Sequence, residues 1–114
     1  MEPEEEDPAL LVGSFVVEAG RRQAWPFVNL YNPDTDREVR LFIDTTFSVH
    51  PGWPALEQDD DPVLNVLDSL QGQTVRAVER PNGALRLVLD DDYLQIDGVD
   101  NRLTTHSPWS IGAP

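Results

Sequence analysis

Lysine and cysteine are both absent from this chain, methionine occurs once and histidine twice. Without cysteine there is no disulfide, no thiolate metal site and no thiol nucleophile. Without lysine, the basic residues are all arginine: Arg21, Arg22, Arg37, Arg40, Arg76, Arg80, Arg86 and Arg102. These 8 cations stand against 21 acidic residues, a formal net charge of −13 over 114 residues. Affinity for nucleic-acid phosphates needs clustered cations, so neither nucleic acid nor an anionic membrane is an expected partner. Apolar runs are also short, far below the ~20 residues that span a bilayer. The N-terminal stretch is acidic where a secretory leader would start basic and continue apolar. The chain therefore reads as cytoplasmic. A lysine-free, Asp- and Arg-rich composition is also what a GC-rich genome gives, so the acidity has a plain compositional explanation beside any functional one.

What is present is a core's worth of apolar residues, 39% of the chain, and a repeated pattern. Asp7-Pro8-Ala9-Leu10 leads to Leu11-Val12-Gly13-Ser14-Phe15-Val16, and Asp61-Pro62-Val63-Leu64 leads to Leu70-Gln71-Gly72-Gln73-Thr74-Val75. Both carry D-P-x-L and then L-x-G-x-x-V, with five extra residues between the parts in the second copy. Further on, Val39-Arg40-Leu41-Phe42-Ile43-Asp44-Thr45-Thr46-Phe47 matches Leu85-Arg86-Leu87-Val88-Leu89-Asp90-Asp91-Asp92-Tyr93. Two matches in the same order point to an internal duplication.

The local elements follow from residue type. Val-, Phe- and Thr-rich stretches predict strands at 14–19, 27–31, 38–43, 73–79 and 84–89, with short return strands at 46–50 and 93–97. Pro81-Asn82-Gly83 predicts a tight hairpin turn, because Pro fixes φ and Asn-Gly accepts positive φ. One short helix is predicted near 62–71, capped by Asp61 and begun by Pro62. Val63, Leu67 and Leu70 share its buried face and Gly72 ends it in a left-handed conformation. Pro51, Gly52 and Pro54 break regular structure, which makes 51–60 a linker between repeat one (7–50) and repeat two (61–112). Residues 1–6 read as a disordered acidic tail, and 7–114 as a single domain. The fold expected is mainly β (α+β): two tandem β-hairpin repeats packed about a pseudo-twofold into a small sandwich or barrel, with one short helix.

No chemistry-bearing motif stands out. Asp90-Asp91-Asp92 lacks the alternate spacing, glycine and terminal Glu of a calcium loop and reads as a polar turn, so no metal or cofactor is expected. His50 and His106 have no ligand-spaced partner, and there is neither a nucleophile elbow nor a phosphate loop. The chain is expected to be no enzyme. Arg21, Arg22 and Trp25 form its one basic-aromatic patch, in a segment that repeat two lacks. With Trp53, Asp59, Asp60, Asp90, Asp91 and Asp92 they are the candidate partner-binding residues, aromatic and charged groups being the usual anchors of interfaces.

The paired L-x-G-x-x-V and R-L-x-x-D patterns resemble a family of small uncharacterised actinobacterial proteins that repeat a hairpin unit twice. The residues carrying the resemblance are Gly13 with Val16, Gly72 with Val75, Leu85 with Leu87, and Asp90 to Ile96, and it spans about 9–112. It implies a duplicated β scaffold and assigns no activity. The composition favours a non-enzymatic acidic interaction module binding a protein partner, in its concrete form a bacterial immunity or antagonist protein against a basic target. A small-ligand binding or sensing barrel and a structural accessory subunit are the alternatives.

Overall fold

A computed structural model describes residues 7–114; the acidic stretch 1–6 lies outside the described residues. The chain is mainly β: among the described residues there are nine strands in two sheets and one short helix. The sheets are not closed into a barrel, so the sandwich is the form realised. No helix among the described residues is long and apolar enough to cross a membrane.

The first sheet has the order β1-β2-β3-β9, built from β1 (Phe15–Arg22), β2 (Trp25–Asn32), β3 (Arg37–Ile43) and β9 (Trp109–Gly112). The second has the order β5-β4-β8-β7-β6, from β4 (Phe47–His50), β5 (Trp53–Leu56), β6 (Ala77–Glu79), β7 (Leu85–Val88) and β8 (Tyr93–Ile96). Every pairing is antiparallel. Period-2 alternation turns Val28, Leu30, Leu41 and Ile43 of one sheet and Phe47, Val49, Leu85, Leu87, Leu94 and Ile96 of the other into a single core. Val63, Val66, Leu67 and Leu70 join it.

The duplication is written into the backbone. The Gly13 N–H donates to the Val75 carbonyl, and the equivalent Gly72 N–H donates to the Val16 carbonyl. The Val75 N–H donates to Ser14, and the equivalent Val16 N–H to Gln73. Phe15 and Thr74, which correspond to one another, form the antiparallel bridge at the centre. Both glycines have positive φ, +92° at Gly13 and +85° at Gly72. The two L-x-G-x-x-V segments thus bind each other about a local twofold. A second symmetric contact lies in the second sheet, where β4 pairs with its equivalent β8, Phe47 opposite Ile96 and His50 opposite Tyr93.

Several expectations are corrected in detail. The stretch 51–60 is not a bare connector: Trp53–Leu56 pairs with β4, Leu56 opposite Phe47. Pro54 is tolerated there because β5 is an edge strand. The stretch 73–79 is not one strand: only Ala77–Glu79 belongs to β6, because Gln73 and Val75 bond to the first copy instead. The helix α1 covers Val63–Asp68, with Pro62 at its N-cap and no side-chain cap from Asp61. Leu70 lies beyond it yet is buried, and Leu64 faces solvent. In the first copy the matching segment is a single 3-10 turn, Pro8–Leu11, capped by the Asp7 carboxylate. The five extra residues of the second copy are what extend that turn into a helix.

The two hairpin units also do not stay apart. β7 and β8 are hydrogen-bonded neighbours, whereas their equivalents β3 and β4 lie in different sheets. The turn Asp44-Thr45-Thr46 therefore crosses the sandwich, and β9 takes the place beside β3. Trp109, 9% exposed, and Ile111 anchor that last strand in the core. The hairpin turn at Pro81–Gly83 forms as expected, with Asn82 and Gly83 at positive φ.

Candidate binding cleft and acidic surface

The β1–β2 hairpin is closed by Gln23 and Ala24, with Gln23 at φ +56° and Arg22 opposite Trp25. Arg21 Nη1 donates to the Ala24 carbonyl of this turn at 3.5 Å and to the Gln58 carbonyl at 2.9 Å, pinning the hairpin to the segment that follows β5. Arg22 and Trp25 instead border a cleft of about 220 Å³ whose other walls come from Phe42 and from His106, Ser107 and Ser110. The Trp25 and His106 rings meet at 5.3 Å between centroids, tilted by 43°.

The floor of this cleft is Asp44, only 5% exposed. Its Oδ2 accepts from the backbone N–H groups of Thr105 and His106, both at 3.0 Å, and from the Thr105 hydroxyl. Its Oδ1 accepts from Gln58 Nε2 at 3.2 Å. Gln58, 2% exposed, in turn accepts from Asn101 Nδ2 at 2.7 Å, and Asn101 also donates to the Thr46 hydroxyl. A charged acceptor with several donors forms strong, short-range ties. This network fastens three segments, 44–46, 57–58 and 101–106, at one end of the sandwich. His106 offers Asp44 its backbone and not its ring, so the two do not form the base-and-orienter pair of a catalytic triad.

The acidic runs are largely occupied by the fold itself. Asp90 Oδ2 accepts from the Thr74 N–H at 2.9 Å and its Oδ1 from Arg76 Nε at 2.6 Å. The Thr74 N–H above all, and then Arg76, hold the Asp90 carboxyl below the usual aspartate range. Asp92 accepts from Gln73 Nε2, while Gln73 Oε1 accepts from the backbone of Asp91 and Asp92. The triplet thus clamps the twofold junction of the two copies, and only the Asp91 side chain is left outward. In the other run, Asp60 accepts from the Glu57 N–H at 2.8 Å, and Glu57 pairs with Arg102 at 2.8 Å. Glu57, Asp59 and Asp60 offer three carboxylate oxygens within 4.8 Å of one another, an exposed acidic group of a kind common on protein surfaces. Asp59 is exposed and makes no hydrogen bond among the described residues, its charge acting on the nearby Arg102.

Trp53 stands on edge strand β5, 41% exposed and apart from the cleft lining. His50 lies on the outer face of the second sheet. Its ring stacks on Tyr93 at 4.4 Å, its Nε2 is 2.9 Å from the Ser48 hydroxyl, and Arg86 lies 4.8 Å from the Tyr93 ring. Sequence reading singled out Arg22 and Trp25 but missed Asp44, Gln58, Phe42 and His106 as their neighbours. Those come from three separate segments, and no spacing announces them. No family model, no curated protein and no solved structure matches the chain.

Proposed function

We propose that the protein is a non-enzymatic interaction module that presents an acidic surface to a basic protein partner. The observation that supports this reading is how the arginines are used. Arg21 binds Gln58, Arg40 lies 3.8 Å over the Phe27 ring and donates to Asn29, and Arg80 donates to Ala84 and faces Trp109. Arg76, Arg86 and Arg102 pair with Asp90, Glu79 and Glu57, and Arg37 is partnered too. Seven of the eight arginines are therefore partnered, three of them in the ion pairs just named, while several carboxylates of the described residues face solvent. Asp59, Asp61 and Asp91 are exposed with no hydrogen bond or ion pair at their side chains among the described residues. Such a field steers an oppositely charged partner and weakens with salt. An immunity or antagonist protein covering a basic, nucleic-acid-acting target is the concrete form of this reading. Capture from native lysate at roughly 0.05 and 0.5 M salt, read by mass spectrometry, tests it. A basic protein held at low salt and released at high salt is expected. Recovery of no basic protein at either salt sinks the reading.

A further inference from the structure

The aromatic cleft carries a second, independent inference, one that does not rest on the acidic surface. Arg22 is the one arginine without a hydrogen bond, ion pair or ring contact among the described residues, and it is exposed at the cleft mouth. The side chains of Gln23, Ser107 and Ser110 line the same cleft and likewise make no hydrogen bond among the described residues. Among the buried, described residues no side-chain nitrogen or oxygen lacks a partner, so the free polar groups of this chain lie at its surface. Four free polar groups thus converge where the Trp25 and Phe42 rings supply flat apolar walls and the His106 imidazole lies against Trp25. A small, mostly apolar concavity with a few convergent polar groups is the usual form of a ligand site.

The sign of the ligand follows from the two charges present. Asp44, on the floor, has its carboxylate taken up by Gln58, Thr105 and His106, so it has little left to offer an incoming cation. Arg22 is the available charge, and its planar fork matches a carboxylate. We infer that the cleft binds a small aromatic carboxylate, its ring between the Trp25 and Phe42 walls and its anionic group on Arg22, with the Ser107 and Ser110 hydroxyls as further donors.

Benzoate is a suitable probe, with acetate and benzylamine as the arms that separate ring from charge. A ligand of this size is expected to bind with a Kd of about 1 mM. The titration follows the backbone amides and the three indole N–H signals by NMR at ~0.15 M salt, where the distant net charge is screened. The result expected is saturable movement of the Trp25 indole and of the His106 and Ser110 amides with benzoate. Acetate should bind at least tenfold more weakly, and benzylamine should not move these signals. Arg22→Gln, a change at an exposed side chain, should weaken benzoate about tenfold or more, as loss of a charge-assisted contact does. Trp25→Leu should weaken benzoate while leaving acetate unchanged. Absence of saturable movement up to about 20 mM benzoate, equal binding of benzylamine, or undiminished binding by Arg22→Gln overturns the inference.

Discussion

Phe15 and Thr74 meet as an antiparallel bridge at the centre of a local twofold, each standing at the same place in its own copy of the repeat. Around them the hydrogen bonds come in equivalent pairs: Gly13 to Val75 with Gly72 to Val16, and Val75 to Ser14 with Val16 to Gln73. Each copy satisfies in the other the backbone groups it cannot satisfy in itself. A copy on its own would leave them to water. The two copies are thus tied to each other by reciprocal backbone hydrogen bonds at the repeated motif.

Equivalent glycines should therefore carry equivalent penalties. An added Cβ at Gly72 meets nothing within 4 Å and at Gly13 only the Asn32 side chain at 3.8 Å, so in both cases the cost is that of left-handed backbone. Gly13→Ala and Gly72→Ala should each lose about 1 kcal/mol in chemical denaturation. Gly52→Ala, with open space and no positive φ, is the control and should be close to neutral.

Gly98 presents the opposite case. A Cβ there would fall 2.3 Å from the Gly83 carbonyl oxygen, against backbone that has no flexible end to move aside. Gly98→Ala should lose about 2 kcal/mol by overpacking, seen as a lowered denaturation midpoint at unchanged slope.

Asp44 and Asp90 occupy the same position of the repeat and should differ in consequence. Asp44 is buried under four donors, so Asp44→Ala leaves the N–H groups of Thr105 and His106 without their acceptor and takes one of two acceptors from the Gln58 amide, which keeps Asn101. A loss on the order of 3 kcal/mol is expected. Asp90 is exposed, so Asp90→Ala should cost distinctly less. The depressed Asp90 carboxyl also sets a direction with pH. Its favourable contribution is present above the ordinary aspartate range and is lost as pH falls through its lower folded value. Urea midpoints measured from pH 6 downwards should show a steeper acid decline for the native chain than for Asp90→Asn.

Tyr31 gives the alkaline counterpart. Its hydroxyl donates to Asp36 Oδ1 at 2.6 Å, and this bond first, with desolvation and the Asp36 charge behind it, raises the phenol above its usual value. The stabilisation is complete below the ordinary tyrosine range and is lost as pH rises through the raised folded value. An ultraviolet phenolate titration should place Tyr31 above a free tyrosine, and Asp36→Asn should bring it down.

How much of this was legible beforehand depends on the range of the interactions. Phe27 to Tyr31, Val39 to Ile43 and the Pro81–Gly83 turn declare themselves locally, through β-branched and aromatic residues and through punctuation by Pro, Asn and Gly. The paired Gly13 and Gly72 announced a duplication, and its twofold contact lies at the repeated motif itself. Trp53–Leu56 was hidden because Pro54 argues against a strand unless that strand is known to lie at an edge. The crossing at Asp44 was hidden because Asp44 and Asp90 look alike in sequence. Their different roles are decided by Gln58, Asn101 and Thr105, far along the chain. The cleft was half legible: Arg22 and Trp25 stood out, while Phe42 and His106 join them only in space.

The most direct measurement of the central claim is the association rate with the basic partner recovered by capture, followed as a function of ionic strength. It compares the native chain with a variant carrying Asp59→Asn, Asp61→Asn and Asp91→Asn. If exposed carboxylates do the steering, the native rate falls steeply with salt, the variant associates slowly even at low salt, and dissociation changes little. Association equally fast in both proteins and indifferent to salt would contradict the account.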